Sequence, residues 1–179
     1  MLNPIDIIKE FYKQNSKAYR ILVRHGELVA RKALDVARGV SHLNPDLILI
    51  EEAAMLHDIG MFMTDTPSLG CFGEHMYVCH GYLGRVLLER KGLSEHAMVC
   101  ERHVGVGITV EDIRKQHLPL PLYDMVPVSI EEQIVCYADK FFSKNSEKEK
   151  SVEKITNRLA LYGHDKVMKF QSWADMFGE

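Results

Sequence analysis

Residues 53–60 read Ala-Ala-Met-Leu-His-Asp-Ile-Gly, which sets a histidine and an aspartate side by side at the end of an otherwise apolar helix. Any fold of this chain must provide for that pair. His57 follows Ile50, Ala53 and Ala54 by seven, four and three residues, so on a helix it shares the stripe that the helix buries. Asp58 beside it cannot cheaply stay ionised in apolar surroundings, where desolvation costs several kcal/mol unless a cation or several donors compensate. A divalent metal meets both needs. Taken alone, the pair also fits an ordinary helix C-terminus, with the imidazole favoured by the dipole and Gly60 just past the last turn.

Other residues of the same chemistry shift that balance. Asp139 follows Val135 and Cys136 by four and three residues in an apolar run, which puts a carboxylate on or beside a core-facing stripe. His25 stands at the same spacing from Ile21 and Leu22. Neutral imidazoles and carboxylates on rigid helices suit Zn, Fe, Mn, Co or Ni, with Mg admissible, so His25, His57, Asp58 and Asp139 form a credible four-ligand set. His80 and His103 lie among apolar neighbours in two further helical segments.

The start signals are helical almost throughout. Asn3-Pro4 and Asn44-Pro45 read as caps with proline at the first helical position, and Ser129-Ile130-Glu131-Glu132 fits a capping box. Periodicity predicts helices at about 4–15, 17–41, 46–59, 76–91, 94–104, 109–116, 129–144, 149–162 and 164–176, and no persuasive hairpin. The expectation is an all-α fold, a single compact helical bundle of about seven to nine helices without significant sheet. A chain of 179 residues, 46% hydrophobic, suits one domain over 1–179, with a core at about 20–145 and C-terminal helices at 149–176 packed on it. Two long loops are expected at 60–75 and 117–128, the second held open by Pro119, Pro121 and Pro127. Gly105 and Gly107 read as a helix end. Lys144 to Lys150 reads as a charged break before the last two helices.

The order His25, His57-Asp58, Asp139 resembles the H…HD…D pattern of the HD-domain metal-dependent phosphohydrolases, over roughly residues 20–145. The surroundings His25-x-x-x-Val29-Ala30-x-x-Ala33, Leu56-His57-Asp58-Ile59-Gly60 and Tyr137-Ala138-Asp139-Lys140 are similar to that family's. His80-Gly81-Tyr82-Leu83-Gly84 and the segment around His103 resemble HD proteins that bind two metals, such as diadenosine tetraphosphate hydrolases and the HD portion of certain ribonucleases. The resemblance implies one ion on His25, His57, Asp58 and Asp139, and Asp58 bridging to a second on His80 and His103. The alternative is a single ion, with His80 and His103 as phosphate-binding donors. Two departures stand out. Met61 occupies the position of a lysine in HDIG phosphodiesterases and of a glutamate in HD nucleotidases, and Val104-Gly105-Val106-Gly107 replaces the Thr-Thr-Gly of the dinucleotide hydrolases.

The chemistry implied is hydrolysis of a phosphate ester or phosphoanhydride by metal-activated hydroxide, with a small phosphorylated substrate, a nucleotide or dinucleotide, as partner. Asp58 is the expected hub of the chemistry, and Lys140, Arg102 and Arg24, which flank the ligands, are candidate oxyanion contacts. Asp65, His75 and His96 are weaker candidates for proton transfer, and His42, His117 and His164 have no supporting pattern. The alternative is a non-catalytic metal-containing module that binds a nucleotide for regulation. A net charge of −3 argues against nucleic acid as partner, and no apolar stretch approaches a membrane span. A cytoplasmic protein with four reduced, buried cysteines is expected, with room for a homo-oligomer. P-loop, dinucleotide-fold, zincin and α/β-hydrolase motifs are absent.

Overall fold

The computed structural model describes residues 2–178. Its nine helices among these residues are α1 (Pro4–Phe11), α2 (Lys17–Gly39), α3 (Leu47–Leu56), α4 (His80–Arg90), α5 (Ser94–Arg102), α6 (Val110–Gln116), α7 (Ile130–Lys140), α8 (Val152–Leu159) and α9 (His164–Phe177). The all-α expectation holds: the one sheet among them is the antiparallel pair β1 (Asp65–Thr66) and β2 (Cys71–Phe72). None of these helices is long and apolar enough to cross a membrane.

Short polar side chains start the helices by accepting from backbone N–H groups that the first turn leaves unpaired. Asn3 caps α1 with Pro4 behind it, Ser16 caps α2, and Thr109 with Asp112 makes a complete capping box at α6. Two expected caps differ. Asp46, not Asn44, caps α3, while Asn44 takes the left-handed conformation that closes a short 3₁₀ turn. Ser129 caps α7, but the Glu132 side chain turns to the Val128 N–H and to Arg102 in place of closing a box.

Several ends are shorter than periodicity predicts. Helix α3 stops at Leu56 and tightens into a 3₁₀ segment over Ile59–Met63, α4 begins at His80 after a 3₁₀ turn over Tyr77–Cys79, and α7 stops at Lys140. The 60–75 stretch is no open loop. The β1–β2 ladder folds it, and the Thr64 carbonyl accepts from the Gly73 N–H. The 117–128 stretch is tied down by paired backbone bonds between Ile108 and Met125 and covers a small second core around Cys79, Ile113 and Leu120.

The main core runs from Ile7 and Ile8 of α1 to Trp173 and Phe177 of α9. Helices α2, α3, α5 and α7 pack around it, and α9 joins through Phe170 stacked on Tyr137 and Trp173 donating to Gln133. Cys71, Cys79, Cys100 and Cys136 are buried free thiols. Where α2 meets α3, Gly26 lets the backbones approach: a Cβ there would stand 3.1 Å from Met55 Cα. That closeness carries His25 on α2 to the end of α3, where His57 and Asp58 begin.

Candidate metal centre

Six residues predicted as ligands come together inside the bundle: His25 from α2, His57 and Asp58 just after α3, His80 at the start of α4, His103 just after α5, and Asp139 near the end of α7. All are buried, and Asp58 has no exposed surface. Three histidines share one local device. The Nδ1 atoms of His57, His80 and His103 each lie 2.6 Å from the carbonyl oxygen three residues earlier, of Ala54, Tyr77 and Cys100. For His57 and His103 these are carbonyls that a helix leaves free at its C-terminal end. A carbonyl only accepts, so each Nδ1 carries the proton and each Nε2 of a neutral ring presents a lone pair.

Those lone pairs converge. His80 Nε2 and His103 Nε2 are 3.0 Å apart, a repulsive contact between two acceptors unless a cation or proton lies between them. Asp58 divides its oxygens between two pairs. Its Oδ2 lies 3.1 Å from His57 Nε2 and 3.4 Å from His25 Nε2, while its Oδ1 lies 3.1 Å from His80 Nε2 and 3.5 Å from His103 Nε2. Asp139 Oδ1 is 2.9 Å from His25 Nε2 and 3.5 Å from His57 Nε2. Donors bound at ~2.1 Å to one ion at right angles stand ~3 Å from each other, so these separations fit a shared divalent cation. The orphaned atoms agree, since His57 Nε2 and both Asp58 oxygens are buried without an aligned hydrogen-bond partner.

A lysine reaches Asp58 itself. Lys144 Nζ stands 2.7 Å from Asp58 Oδ2, pairing by charge at an angle that leaves the oxygen without an aligned donor. Burial opposes its charge, but Asp58 outweighs that and holds the ammonium above its ordinary range. The charged 144–150 run gave no hint of this. Lys144 follows Asp139 by five residues, beyond the end of α7, and the turn joining Ser143 to Ser146 folds it over the site.

The predicted oxyanion contacts are placed unequally. Lys140 Nζ pairs with Asp139 Oδ2 at 2.6 Å and donates to the His103 carbonyl. Arg24 acts at one remove by donating to the Lys144 carbonyl. Arg102 is turned away from an anion-binding role, because its guanidinium is committed to both oxygens of Glu132 at 2.9 Å. His96 bonds the buried Glu52, and His75, Asp65, His42, His117 and His164 are exposed. Met61 is fully buried and belongs to the main core.

The centre opens on one side. His80, His103 and Asp139 line a cavity of about 660 Å³ that also takes in Lys140, Lys144 and Lys150. Gly105 and Gly107 do not end α5. Both have positive φ and form the turn along this cavity, and a Cβ at Gly107 would meet Val126 Cα at 2.9 Å. Burial, joined by the crowding of Lys140, Arg158 and Lys144 against the pull of Asp139, pushes the Lys150 ammonium down to about 8.

Titration follows the same geometry. Burial works against charge on His57, yet Asp58 and Asp139 outweigh it and raise the imidazole to about 9. Burial, with His57 and His80 as neighbours, lowers His103 to about 3. The metal-free centre therefore holds a proton on His57 at neutral pH, and a cation competes for the same lone pair. Binding of Zn or Mn is expected to release about one proton near neutral pH, and affinity should climb about tenfold per pH unit until it levels near pH 9. Calorimetry in buffers of different ionisation enthalpy measures this; no proton release would contradict it.

Comparison with known proteins gives one family model, described as HD domain, over residues 18–143. The uncharacterized protein MJ0778 of Methanocaldococcus jannaschii is 30% identical over 160 residues, covering 87% of this chain and 83% of that protein. The tRNA (cytidine(56)-2'-O)-methyltransferases of Picrophilus torridus and Thermoplasma volcanium are each 33% identical, over 131 and 133 residues. The chain spans 34% of the length of each. The HD domain of the L. monocytogenes phosphodiesterase PgpH superposes with a TM-score of 0.53 at 13% identity, covering 99% of both chains, which is a likeness of fold. That domain has also been solved in complex with Cyclic-di-AMP.

Proposed function

The chain belongs to the HD domain family, and from that premise we propose that it is a metal-dependent phosphohydrolase acting on a nucleotide or a similar small phosphorylated substrate. One observation carries the reading: the two buried oxygens of Asp58 serve two separate histidine pairs, beside a cavity rich in lysine. His25, His57, Asp58 and Asp139 would hold one divalent ion, and Asp58 would share a second with His80 and His103. When bound, such ions supply Lewis acidity that lowers the pKa of water and neutralises charge on a phosphoryl group.

The remaining steps belong to the chain's own residues. The Ala54, Tyr77 and Cys100 carbonyls fix the histidine tautomers, so the donors are oriented before substrate arrives. Lys144 is placed to take a phosphoryl oxygen once a cation shares the charge of Asp58, with its backbone held by Arg24. Lys140 steadies Asp139 and borders the same cavity. Six donors exceed the four that close a structural site, and three of the six line the cavity, which favours an enzyme over a binding module.

Elemental analysis of the purified protein, joined to a screen of nucleotides, dinucleotides and model diesters with Mn, Fe, Zn, Co, Ni and Mg, tests the proposal. Bound metal without turnover of any of them would leave the binding module as the function. Lys144→Ala is expected to keep its metal and lose roughly 10²–10³-fold in kcat, the scale of removing one donor from developing charge. Unchanged kcat would take Lys144 out of the chemistry.

A further inference from the structure

The family match ends at residue 143, yet the cavity over the metal centre does not. Its far wall is built by α8 and the start of α9, through Ile155, Arg158, Leu159, Tyr162 and Lys166. The first four stand at i, i+3, i+4 and i+7, so one face of α8, continued into the turn after it, points into the cavity. Ile155 and Leu159 are buried there. Tyr162 is 57% exposed, and Met76, which also lines the cavity, is 61% exposed, so the mouth carries an unburied aromatic and an unburied thioether.

The cations of this wall differ in what they have left to give. Lys166 is spent on Asp112 and Asp165. Lys150 donates to the carbonyls of Lys140 and Phe142 and keeps one of its three N–H groups for the cavity. The Arg158 guanidinium has no hydrogen bond or ion pair to the protein among the described residues, though it lies on the cavity-facing side of α8. An unpaired guanidinium beside apolar surface, in a space within the ~300–1,000 Å³ of small-molecule sites, suits a ligand with a ring and more than one anionic group.

We infer that α8 is the substrate-selecting wall of this site: Tyr162 and Leu159 hold the base of a nucleotide, and Arg158 with Lys150 holds the phosphate adjacent to the one at the metal centre. The inference rests on the phosphohydrolase reading and narrows its substrate class to nucleotides with at least two phosphates. Tyr162 gives the base a stacking face, and Arg158 meets two phosphate oxygens with two parallel N–H groups. Lys150 donates to the carbonyl of Lys140, next to Asp139, so the two phosphates have neighbouring hosts.

Calorimetric binding of slowly hydrolysed thio-analogues of AMP and ADP to the Mn-loaded full chain tests this without requiring turnover. The wild type should bind the diphosphate analogue about tenfold more tightly than the monophosphate. Arg158→Ala should erase that preference, Arg158→Lys should restore part of it, and Tyr162→Ala should weaken both ligands alike. Asn157→Ala, on the solvent side of α8, sets the baseline. Equal affinity of wild type for the two analogues, a preference that survives in Arg158→Ala, or no binding of either analogue would each overturn the inference. Turnover of a model diester by the same preparation is scored separately, so failure of the phosphohydrolase reading shows as absent hydrolysis while the binding ratio still decides the role of α8.

Discussion

Asp58→Asn is expected to empty the metal centre and to cut turnover of any substrate the wild type hydrolyses by on the order of 10⁴ or more. The substitution keeps the shape and removes the charge that every other group of the centre faces: four histidines within 3.5 Å and the Lys144 ammonium at 2.7 Å. It should also destabilise the metal-free protein, because Lys144 is left largely buried without its counter-charge. Removing one partner of a buried pair costs ~3–5 kcal/mol. In a chain of this size that corresponds to roughly 6–20 °C in Tm.

The acid side carries the same information. The cationic neighbours outweigh burial and hold Asp58 and Asp139 well below the ordinary carboxylate range. Their folded-state pKa values are depressed, so the stability they contribute is present above the unfolded value near ~4 and is lost as pH falls through the folded values. Asp58→Asn should flatten that acid limb of the Tm profile. His80→Ala supplies the companion measurement: it should lose one of the two proposed ions and leave His25, His57, Asp58 and Asp139 holding the other. Metal content equal to wild type in both variants would sink the ligand assignment, and circular dichroism shows whether the helices survive.

Gly60→Ala is expected to be nearly as damaging, for a steric reason. Gly60 does not have positive φ, so alanine can adopt its backbone conformation. The obstacle is α4. A Cβ at Gly60 would lie 2.2 Å from the His80 carbonyl oxygen and 2.5 Å from Gly84 N, and backbone atoms of a helix cannot step aside singly. The helix must move as a body and take His80 with it. A loss of ~3 kcal/mol, the upper end for overpacking, and a fall of roughly 6–12 °C in Tm should appear by calorimetry, together with weaker binding at the His80 side of the centre. Gly39→Ala is the contrast. A Cβ there meets nothing within 4 Å, at the last residue of α2, so alanine should be neutral or stabilise by ~0.5 kcal/mol. An unchanged Tm in Gly60→Ala would mean that α4 does not press on this glycine.

Gly60 also marks where reading by pattern stops. As a sequence element it looks like the residue that ends a helix, and its real constraint comes from a helix twenty residues further on. Arg102 is similar: beside His103 in the chain it reads as an anion contact, and only packing reveals that Glu132 at the start of α7 takes its charge. Lys144 is the converse case. It sits in a run of alternating charges that any composition argument sends to solvent, yet the turn after α7 buries it against Asp58. The β1–β2 ladder was equally hidden, since two residues per strand leave no alternation to detect.

What the sequence determined by itself is the helical class and the cast of the centre. Helix caps and 3.6-residue periodicity act within a few residues, and a histidine or carboxylate on a stripe meant for burial announces itself because leaving it unpaired is costly. What the tertiary structure alone decided is the partition of that cast: which oxygen of Asp58 faces which histidine pair, which lysine joins them, and which helix closes the cavity. Those are distances between α2, α4, α7 and α8, and they depend on how closely the backbones pack, a quantity set by contacts far apart in the chain.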